Sequence, residues 1–262
     1  MPGSIAYRLA KVATRRPRGG YRVARILAKL DPALRQLRCP VSFVPGGHLV
    51  LDLSESACYA IFRYGRQPHT GAEEAFFARA IRATDCVLDV GGNIGYTALL
   101  FATLAARGHV HVFEPAPRAL RLLRATVEGL ANVTVHSCAV SDVDGTVQFS
   151  QQPMLDLSYV ANGSEKRGLT VPAVSLDSIV ANRGLQPDFL KVDVEGHEQQ
   201  VFRGAPATLR RYRPLILFEA LDSSSLEMTA LEIRRAVPQY TFHSVHPGGA
   251  LRPLPSISAI PQ

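Results

Sequence analysis

Residues 85–115 read DCVLDVGGNIGYTALLFATLAARGHVHVFEP, and the rest of the chain is arranged around them. Cys86-Val87-Leu88-Asp89-Val90 is a short apolar run, the pattern of a parallel strand buried on both faces. It ends in the turn Gly91-Gly92-Asn93-Ile94-Gly95. Tyr96 to Ala106 follows, apolar enough for a helix packed on a sheet, and Gly108 stops it. Val110 to Phe113 predicts a second strand, closed by Glu114-Pro115. Strand, glycine turn, helix, strand and acid make a nucleotide-binding βαβ unit, in which glycines admit a ligand close to the backbone. Glu114 stands 19 residues after Gly95 (114 less 95), where a carboxylate accepts hydrogen bonds from ribose hydroxyls.

The dinucleotide fingerprint G-x-G-x-x-G does not fit, because its first glycine would fall at Val90. Asp89-x-Gly91-Gly92-x-x-Gly95 stands there instead, with an acid at the tip of the first strand. A carboxylate at that place suits a ligand carrying an ammonium and a sulfonium and repels a pyrophosphate. S-adenosylmethionine is such a ligand.

A chain of 262 residues, 47% hydrophobic and 19% charged, has globular values and room for one substantial core. The net charge of +7 is unevenly placed. Residues 1–38 hold ten Lys/Arg and one Asp, a charge of +9, which leaves −2 for the remainder. The basic balance therefore belongs to the first segment and says little about the domain's ligand. Cys39, Cys58, Cys86 and Cys138 form no C-x-x-C pair, so neither a structural zinc nor a disulfide framework is expected, and isolated cysteines fit a reducing cytoplasm. No apolar run reaches 18 residues. The expectation is a cytoplasmic protein, at most peripheral at the inner membrane face.

Two divisions follow: a basic helical extension over 1–40 and a catalytic-type α/β domain over 41–262. In the extension, Ile5, Leu9 and Val12 form one stripe, and Val23, Leu27, Leu30, Leu34 and Leu37 a second. Either these stripes pack on the domain with the arginines in water, or they anchor residues 1–38 on anionic lipid or a lipid-borne substrate, or they serve homo-oligomerisation. Val41–Val44 and His48–Leu51 predict a hairpin about Pro45-Gly46-Gly47. Gly71 to Ile81 predicts a helix covering the sheet, and Pro117 to Leu130 another. Val133–His136 continues the strands toward Cys138–Val140 and the turn Ser141-Asp142, where an adenine ring rests in this architecture. Residues 151–168 form a polar stretch suited to a substrate loop or lid. Asp177 is the expected N-cap of a helix from Ser178.

The second informative stretch is PDFLKVDVEGHE, residues 187–198. Phe189 to Val194 reads as a strand, yet it contains a lysine, and four ionisable residues follow between 193 and 198. Such breaks in patterning concentrate at functional sites. The carboxyl ends of neighbouring strands form the ligand crevice of an open α/β sheet, so Asp193 and Glu195 should face the Gly91–Gly95 turn. Leu215–Phe218 ends at the same edge in Glu219. The terminal strands about Pro247-Gly248-Gly249 predict an antiparallel hairpin, a feature of methyltransferase sheets.

VLDVGGNIG, VFEP, AVSD, SLD, FLKVDVEGHE, VFRGA and RPLILFE, in order from about Gly71 to Glu219, resemble the FkbM family of S-adenosylmethionine-dependent methyltransferases. The resemblance implies a Rossmann-like class I methyltransferase fold with a mostly parallel seven-stranded sheet. It implies donor contacts at Asp89, Gly91, Asn93, Gly95 and Glu114, and an active site lined by the KVDVEG segment. Gly92 shares the glycine turn. At the Ser141-Asp142 turn, either Asp142 or the neighbouring backbone reads the adenine's amino group, or Asp142 only bonds its own backbone. Its members methylate hydroxyl groups of polyketides, sugars and glycolipids. Residues 1–40 lie outside the match.

The expected activity is O-methyl transfer to a small-molecule or glycolipid acceptor. An alcohol needs a proton acceptor, for which Asp193 comes first, then Glu195, then His197, whose alternative role is to begin a helix. Alternatively, Asp193 and Glu219 hold Mg²⁺, which lowers the hydroxyl's pKa. The N/D-P-P-Y pattern of many amino-methylating enzymes is absent, and the basic arm lacks the aromatics of a nucleic-acid module. An amine or nucleic-acid acceptor and a non-catalytic binding protein are the rival readings.

Overall fold

Two α-helices come before the first strand among the described residues. In the computed structural model, which describes residues 4–15, 19–68, 70–150, 159–160 and 168–254, α1 (Ile5–Ala13) and α2 (Gly20–Leu30) pack as an antiparallel pair. Ser4 Oγ at the start of the first donates to the Asp31 carboxylate at the end of the second (3.1 Å). β1 (Leu37–Pro40) then pairs antiparallel with β2 (His48–Leu51). The hairpin about Gly46 is therefore formed, but its first strand lies at 37–40 and not at 41–44. Leu37 and Cys39 are buried while Arg38 and Pro40 face out, so the alternating pattern begins earlier. Residues 41–47 are closed as a loop by Val41 N–H donating to Gly47 O and Gly47 N–H to Val44 O. The division drawn at residue 40 thus falls inside a hairpin.

The chain continues through α3 (Ser56–Tyr64), α4 (Gly71–Ala80), β3 (Cys86–Val90), α5 (Tyr96–Leu104), β4 (His109–Phe113), α6 (Pro117–Thr126) and β5 (Val133–His136). After these come β6 (Ala139–Ser141), β7 (Gly145–Ser150), β8 (Tyr159–Val160), β9 (Leu169–Ser175), α7 (Leu176–Arg183), β10 (Phe189–Val192), α8 (Glu198–Arg203), α9 (Pro206–Tyr212), β11 (Leu215–Phe218), α10 (Ser223–Ala236), β12 (His243–His246) and β13 (Ala250–Pro253). The central sheet has the order β11-β10-β3-β4-β5, all parallel. The chain winds outward from β3 in one direction and returns at β10 to build the other, which opens a crevice at the strands' carboxyl ends.

The seven-stranded sheet expected from the sequence is corrected to five. β6, β9, β7 and β8 form a second, four-stranded sheet, and β12 and β13 pair with each other. The hairpin does not extend the central sheet because its turn is pinned to α4. Arg79 donates to the carbonyls of Gly248 and Gly249, and a Cβ on Gly249 would lie 2.5 Å from Phe76 N. The substrate loop expected over 151–168 falls mostly outside the described residues.

Strand alternation divides the core into two layers. Val87 and Phe189 face α4 and α5, where Phe77, Phe101 and Phe189 meet with centroids 4.8–6.0 Å apart. Leu88, Val90, Leu190 and Val192 face the opposite layer with Val201, Phe202, Leu209 and Ile233. Such aromatic contacts contribute about 0.5–1.5 kcal/mol each beyond area burial. On β4 and β5, the buried His111 and His136 share a hydrogen bond of 3.1 Å between Nδ1 and Nε2. Burial, with neighbouring cationic groups, lowers both to about 4, so the pair is neutral at physiological pH.

Ser175, and not Asp177, caps α7, accepting from Ser178 N–H (3.1 Å). Asp177 instead accepts from Ala207 and Thr208 N–H (2.9 and 2.7 Å), which places its charge at the start of α9.

Candidate active site

The crevice is built on one close approach. Register places Lys191 of β10 beside Asp89 of β3 and Val192 beside Val90, and Asp193 N–H continues the ladder to Val90 O (3.0 Å). Gly91 therefore lies against the Asp193 backbone: a Cβ there would sit 1.8 Å from Asp193 O. Gly91 also has φ +88°, a left-handed conformation in which a side chain is strained. Gly91 and Gly92 N–H both donate to Phe113 O (3.0 and 3.1 Å), which folds the turn back toward β4.

The cleft above this turn encloses about 1090 Å³, its open mouth included. Gly91, Gly92, Asn93 and Glu114 line one part, Phe113, Ala139, Val140 and Phe149 an apolar wall, and Asp193, Glu195 and Glu219 the far edge. Glu114 is buried, its oxygens accepting from Asn93 N–H (2.8 Å) and Ala116 N–H (2.7 Å). Burial pushes its carboxyl up to about 7 against those two donors, which favour the ionised form. Asn93 Oδ1 is buried with no hydrogen-bond partner among the described residues. A glycine cradle, an acceptor pair at the end of β4, an unpartnered amide oxygen and an apolar wall fit the amino-acid, ribose and purine parts of S-adenosylmethionine.

Several expected site residues stand elsewhere. Asp89 is one residue inside β3, fully buried, and does not line the cleft. Thr97 Oγ1 donates to its Oδ2 at 2.7 Å, and Lys191 Nζ lies 3.7 Å from its Oδ1, which has no hydrogen-bond partner among the described residues. Burial holds the carboxyl above the usual aspartate value against both neighbours. Ser141 is buried and turned to His197, Oγ to Nε2 2.9 Å, and Asp142 is exposed. Cys138, Ala139 and Val140 line the cleft in their place. His197 begins α8 and faces Ser141, not the cleft. Burial lowers it to about 4, with Asp142 opposing. His197, expected among the proton acceptors, therefore does not line the cleft.

Asp193, Glu195 and Glu219 do come together: one carboxylate oxygen from each lies within 4.8 Å of the others. Lys191, 4% exposed, donates to Asp193 Oδ2 at 3.0 Å. Burial would lower this ammonium, but the Asp193 and Asp89 charges outweigh it and hold it above lysine's ordinary range. Burial would likewise raise Asp193, but Lys191 outweighs it and holds the carboxyl below the usual aspartate value. Desolvation and the Asp193 charge push Glu219 up to about 8. The two environments thus push the carboxyls apart, Asp193 toward the ionised form and Glu219 toward the protonated one.

Two residues escaped the reading of the sequence. Glu198, 3% exposed, accepts from Val194 and Gly196 N–H (3.1 and 3.2 Å) and braces the turn that carries Glu195. Glu195 and Gly196 both have left-handed backbone, φ 55° and 94°. Strain of this kind at a non-glycine residue, roughly 1–3 kcal/mol, collects at functional sites. Tyr96, on the cleft wall, donates to Glu74 Oε1 (2.6 Å) and accepts from Gln67 N–H (3.2 Å). The spacing E-G-x-E about Gly196 was the available signal for Glu198.

An open parallel sheet with a glycine turn and an acid at the ends of β3 and β4 defines a Rossmann-like nucleotide-binding domain. Within that class, the chain belongs to the methyltransferase FkbM domain family, which matches residues 89–244. It is 32% identical over 132 residues to the hexuronic acid methyltransferase AglP of Haloferax volcanii, covering 48% of this chain and 52% of that protein. It is 32% identical over 158 residues to the 31-O-demethyl-FK506 methyltransferase FkbM of Streptomyces tacrolimicus, covering 47% and 60%. The chain thus spans about half the length of the first relative and 60% of the second. Among solved structures, the methyltransferase FkbM of Methylobacillus flagellatus KT aligns at 18% identity and TM-score 0.46, over 87% of this chain and 59% of that one.

Proposed function

We propose that the chain transfers a methyl group from S-adenosylmethionine to a hydroxyl of a sugar or polyketide-type acceptor, glycolipids included. The observation that carries this reading is the meeting of Asp193, Glu195 and Glu219 at the edge of the glycine-turn cleft. Two of the chain's relatives, a hexuronic acid methyltransferase and a 31-O-demethyl-FK506 methyltransferase, support a hydroxyl acceptor.

When bound, S-adenosylmethionine supplies an electrophilic methyl on a positively charged sulfur. The protein's part is to hold the hydroxyl in line and to take its proton. Asp193, kept ionised by Lys191, accepts the hydrogen bond from the hydroxyl and fixes its direction. Glu219 shares a proton with Asp193, and Glu198 keeps the 193–196 turn from moving. Gly91 lets the Asp193 backbone lie directly on the donor turn.

This arrangement has a pH signature. With Glu219 at about 8 in the free protein, the pair loses its proton as pH rises through that value and becomes the better acceptor. The kcat/KM profile with S-adenosylmethionine and a hydroxyl acceptor should rise toward a plateau above about pH 8, and Glu219→Gln should remove that limb. A wild-type profile flat from pH 6 to 9 would rule out the proton-sharing role.

The three carboxylates also fit a divalent cation such as Mg²⁺, since hard oxygen donors converge within 4.8 Å. A cation there would lower the pKa of a bound hydroxyl. Loss of activity in EDTA with recovery on adding Mg²⁺ supports this second reading, and activity unaffected by EDTA removes it.

A further inference from the structure

The α1–α2 pair is turned the opposite way from an ordinary amphipathic hairpin. The most deeply buried residues of its inward face are small: Ala10, Ala24 and Ala28 are 0% exposed and Ala13 3%. Tyr7, Tyr21 and Leu27 pack beside them on the core, while five other large apolar side chains point out, with Ile5 78%, Leu9 49%, Val12 54%, Ile26 58% and Leu30 75% exposed. Ile5, Leu9 and Val12 follow one another at spacings of four and three, and Ile26 and Leu30 at four, so each helix presents a continuous apolar ridge. The Ser4–Asp31 hydrogen bond brings the start of α1 beside the end of α2, and with them the two most exposed residues of the set, Ile5 and Leu30.

The ridges are set among cations. Arg8, Arg15, Arg22, Arg25 and Lys29 are exposed, and among the described residues none of them forms an ion pair with an acid. Asp31, the single acid of residues 1–38, is already engaged by Ser4 Oγ and Ala33 N–H. Aliphatic ridges flanked by unanswered positive charge complement a surface with hydrocarbon beneath and anions above. A second copy of the same face would bring like charge against like charge. A nucleic acid would leave the aliphatic ridges in water.

We infer that the outward face of α1–α2 docks on an anionic lipid surface, basic side chains at the headgroups and Ile5, Leu9, Val12, Ile26 and Leu30 entering the acyl boundary. No helix among the described residues is long and apolar enough to cross a membrane. The attachment lies in the plane of the surface and is reversible. The pair is fixed to the body by Tyr21 Oη donating to Ser54 O (2.8 Å) and Tyr59 Oη to Ala13 O (3.2 Å). An occupied surface would therefore orient the whole domain.

Co-sedimentation of the full chain with phosphatidylglycerol-containing and pure phosphatidylcholine vesicles tests this without reference to catalysis. Retention is expected on the anionic vesicles only, weakened about tenfold or more by high salt. Arg22→Gln with Arg25→Gln should weaken it about tenfold or more, since each basic residue near the surface is worth about fivefold. Leu9→Ser with Ile26→Ser leaves every charge in place and should also abolish retention. These residues are exposed, so the thermal melts of both variants should match wild type. Three outcomes would overturn the inference: no retention of the full chain on anionic vesicles, retention of the serine variant equal to wild type, or a dimer in light scattering that the serine variant dissociates.

Discussion

Asp193→Asn is expected to lower kcat by about 10²–10⁴ while leaving the fold and the affinity for S-adenosylhomocysteine in place. The amide keeps the size of the side chain but cannot take a proton, and it removes the charge that Lys191 holds at 3.0 Å. Lys191 is not left alone, because Asp89 stays 3.7 Å away, so the buried ammonium keeps one carboxylate. The pair lost is buried at its lysine end and open at its aspartate end, with 6% and 41% of the side chains exposed, so some loss of Tm is expected, limited by the Asp89 carboxylate that remains beside Lys191. Rate and affinity measured on the same variant separate two roles. A rate loss at unchanged donor affinity places Asp193 on the acceptor's hydroxyl. A parallel fall in donor affinity would assign it to the donor's ammonium. Turnover near the wild-type rate would exclude both and turn attention to Glu195.

Gly91→Ala should be the most damaging single methyl in the domain. The added carbon would stand 1.8 Å from Asp193 O and 2.9 Å from Asp193 C, both backbone atoms, where ordinary contacts begin near 3.4 Å. Neither partner is free to retreat: Asp193 N–H is bonded to Val90 O and Gly91 N–H to Phe113 O, each at 3.0 Å. Left-handed backbone adds about 1–2 kcal/mol at a non-glycine residue, and overpacking about 1–3 kcal/mol. The Tm should fall by roughly 5–15 °C. Because the strain lies where β3 and β10 open the cleft, calorimetry on the folded fraction should show S-adenosylhomocysteine affinity reduced by about tenfold or more, the equivalent of 1.4 kcal/mol. A variant with wild-type Tm and wild-type affinity would show that the β3–β10 contact is looser than the geometry describes.

The glycine turn, Glu114, and the meeting of Asp193 with Glu195 and Glu219 were legible in the sequence because each breaks a pattern that packing alone would keep. Glycines close together at a strand end, and acids after a buried strand, have few structural uses. Other features were not legible, for physical reasons. In α1, Ile5, Leu9 and Val12 share a helical period with Ala6, Ala10 and Ala13, so spacing shows that there are two faces but not which is inward. The structure turns the first stripe outward and buries Ala10 and Ala13, while Leu27, Leu34 and Leu37 of the second stripe pack on the domain and Leu30 stays exposed. A histidine two residues past Glu195 reads as a base until α8 turns it to Ser141. Asp89 reads as a strand-tip acid until register sets Lys191 beside it. The terminal hairpin follows the expected strands, yet whether it joins the central sheet depends on Arg79, 169 residues before Gly248 in one of its bonds. Local pattern carries no information about such a partner.

The position of S-adenosylhomocysteine bound to this chain, determined by crystallography at saturating ligand, tests the central claim most directly. The account predicts the ribose on Glu114, the purine against the wall of Phe113, Ala139 and Val140, and the sulfur over the Gly91–Gly95 turn on the side of Asp193. Ligand seated instead in the apolar cleft between β11 and the β12–β13 hairpin, with Glu114 and the glycine turn untouched, would contradict it.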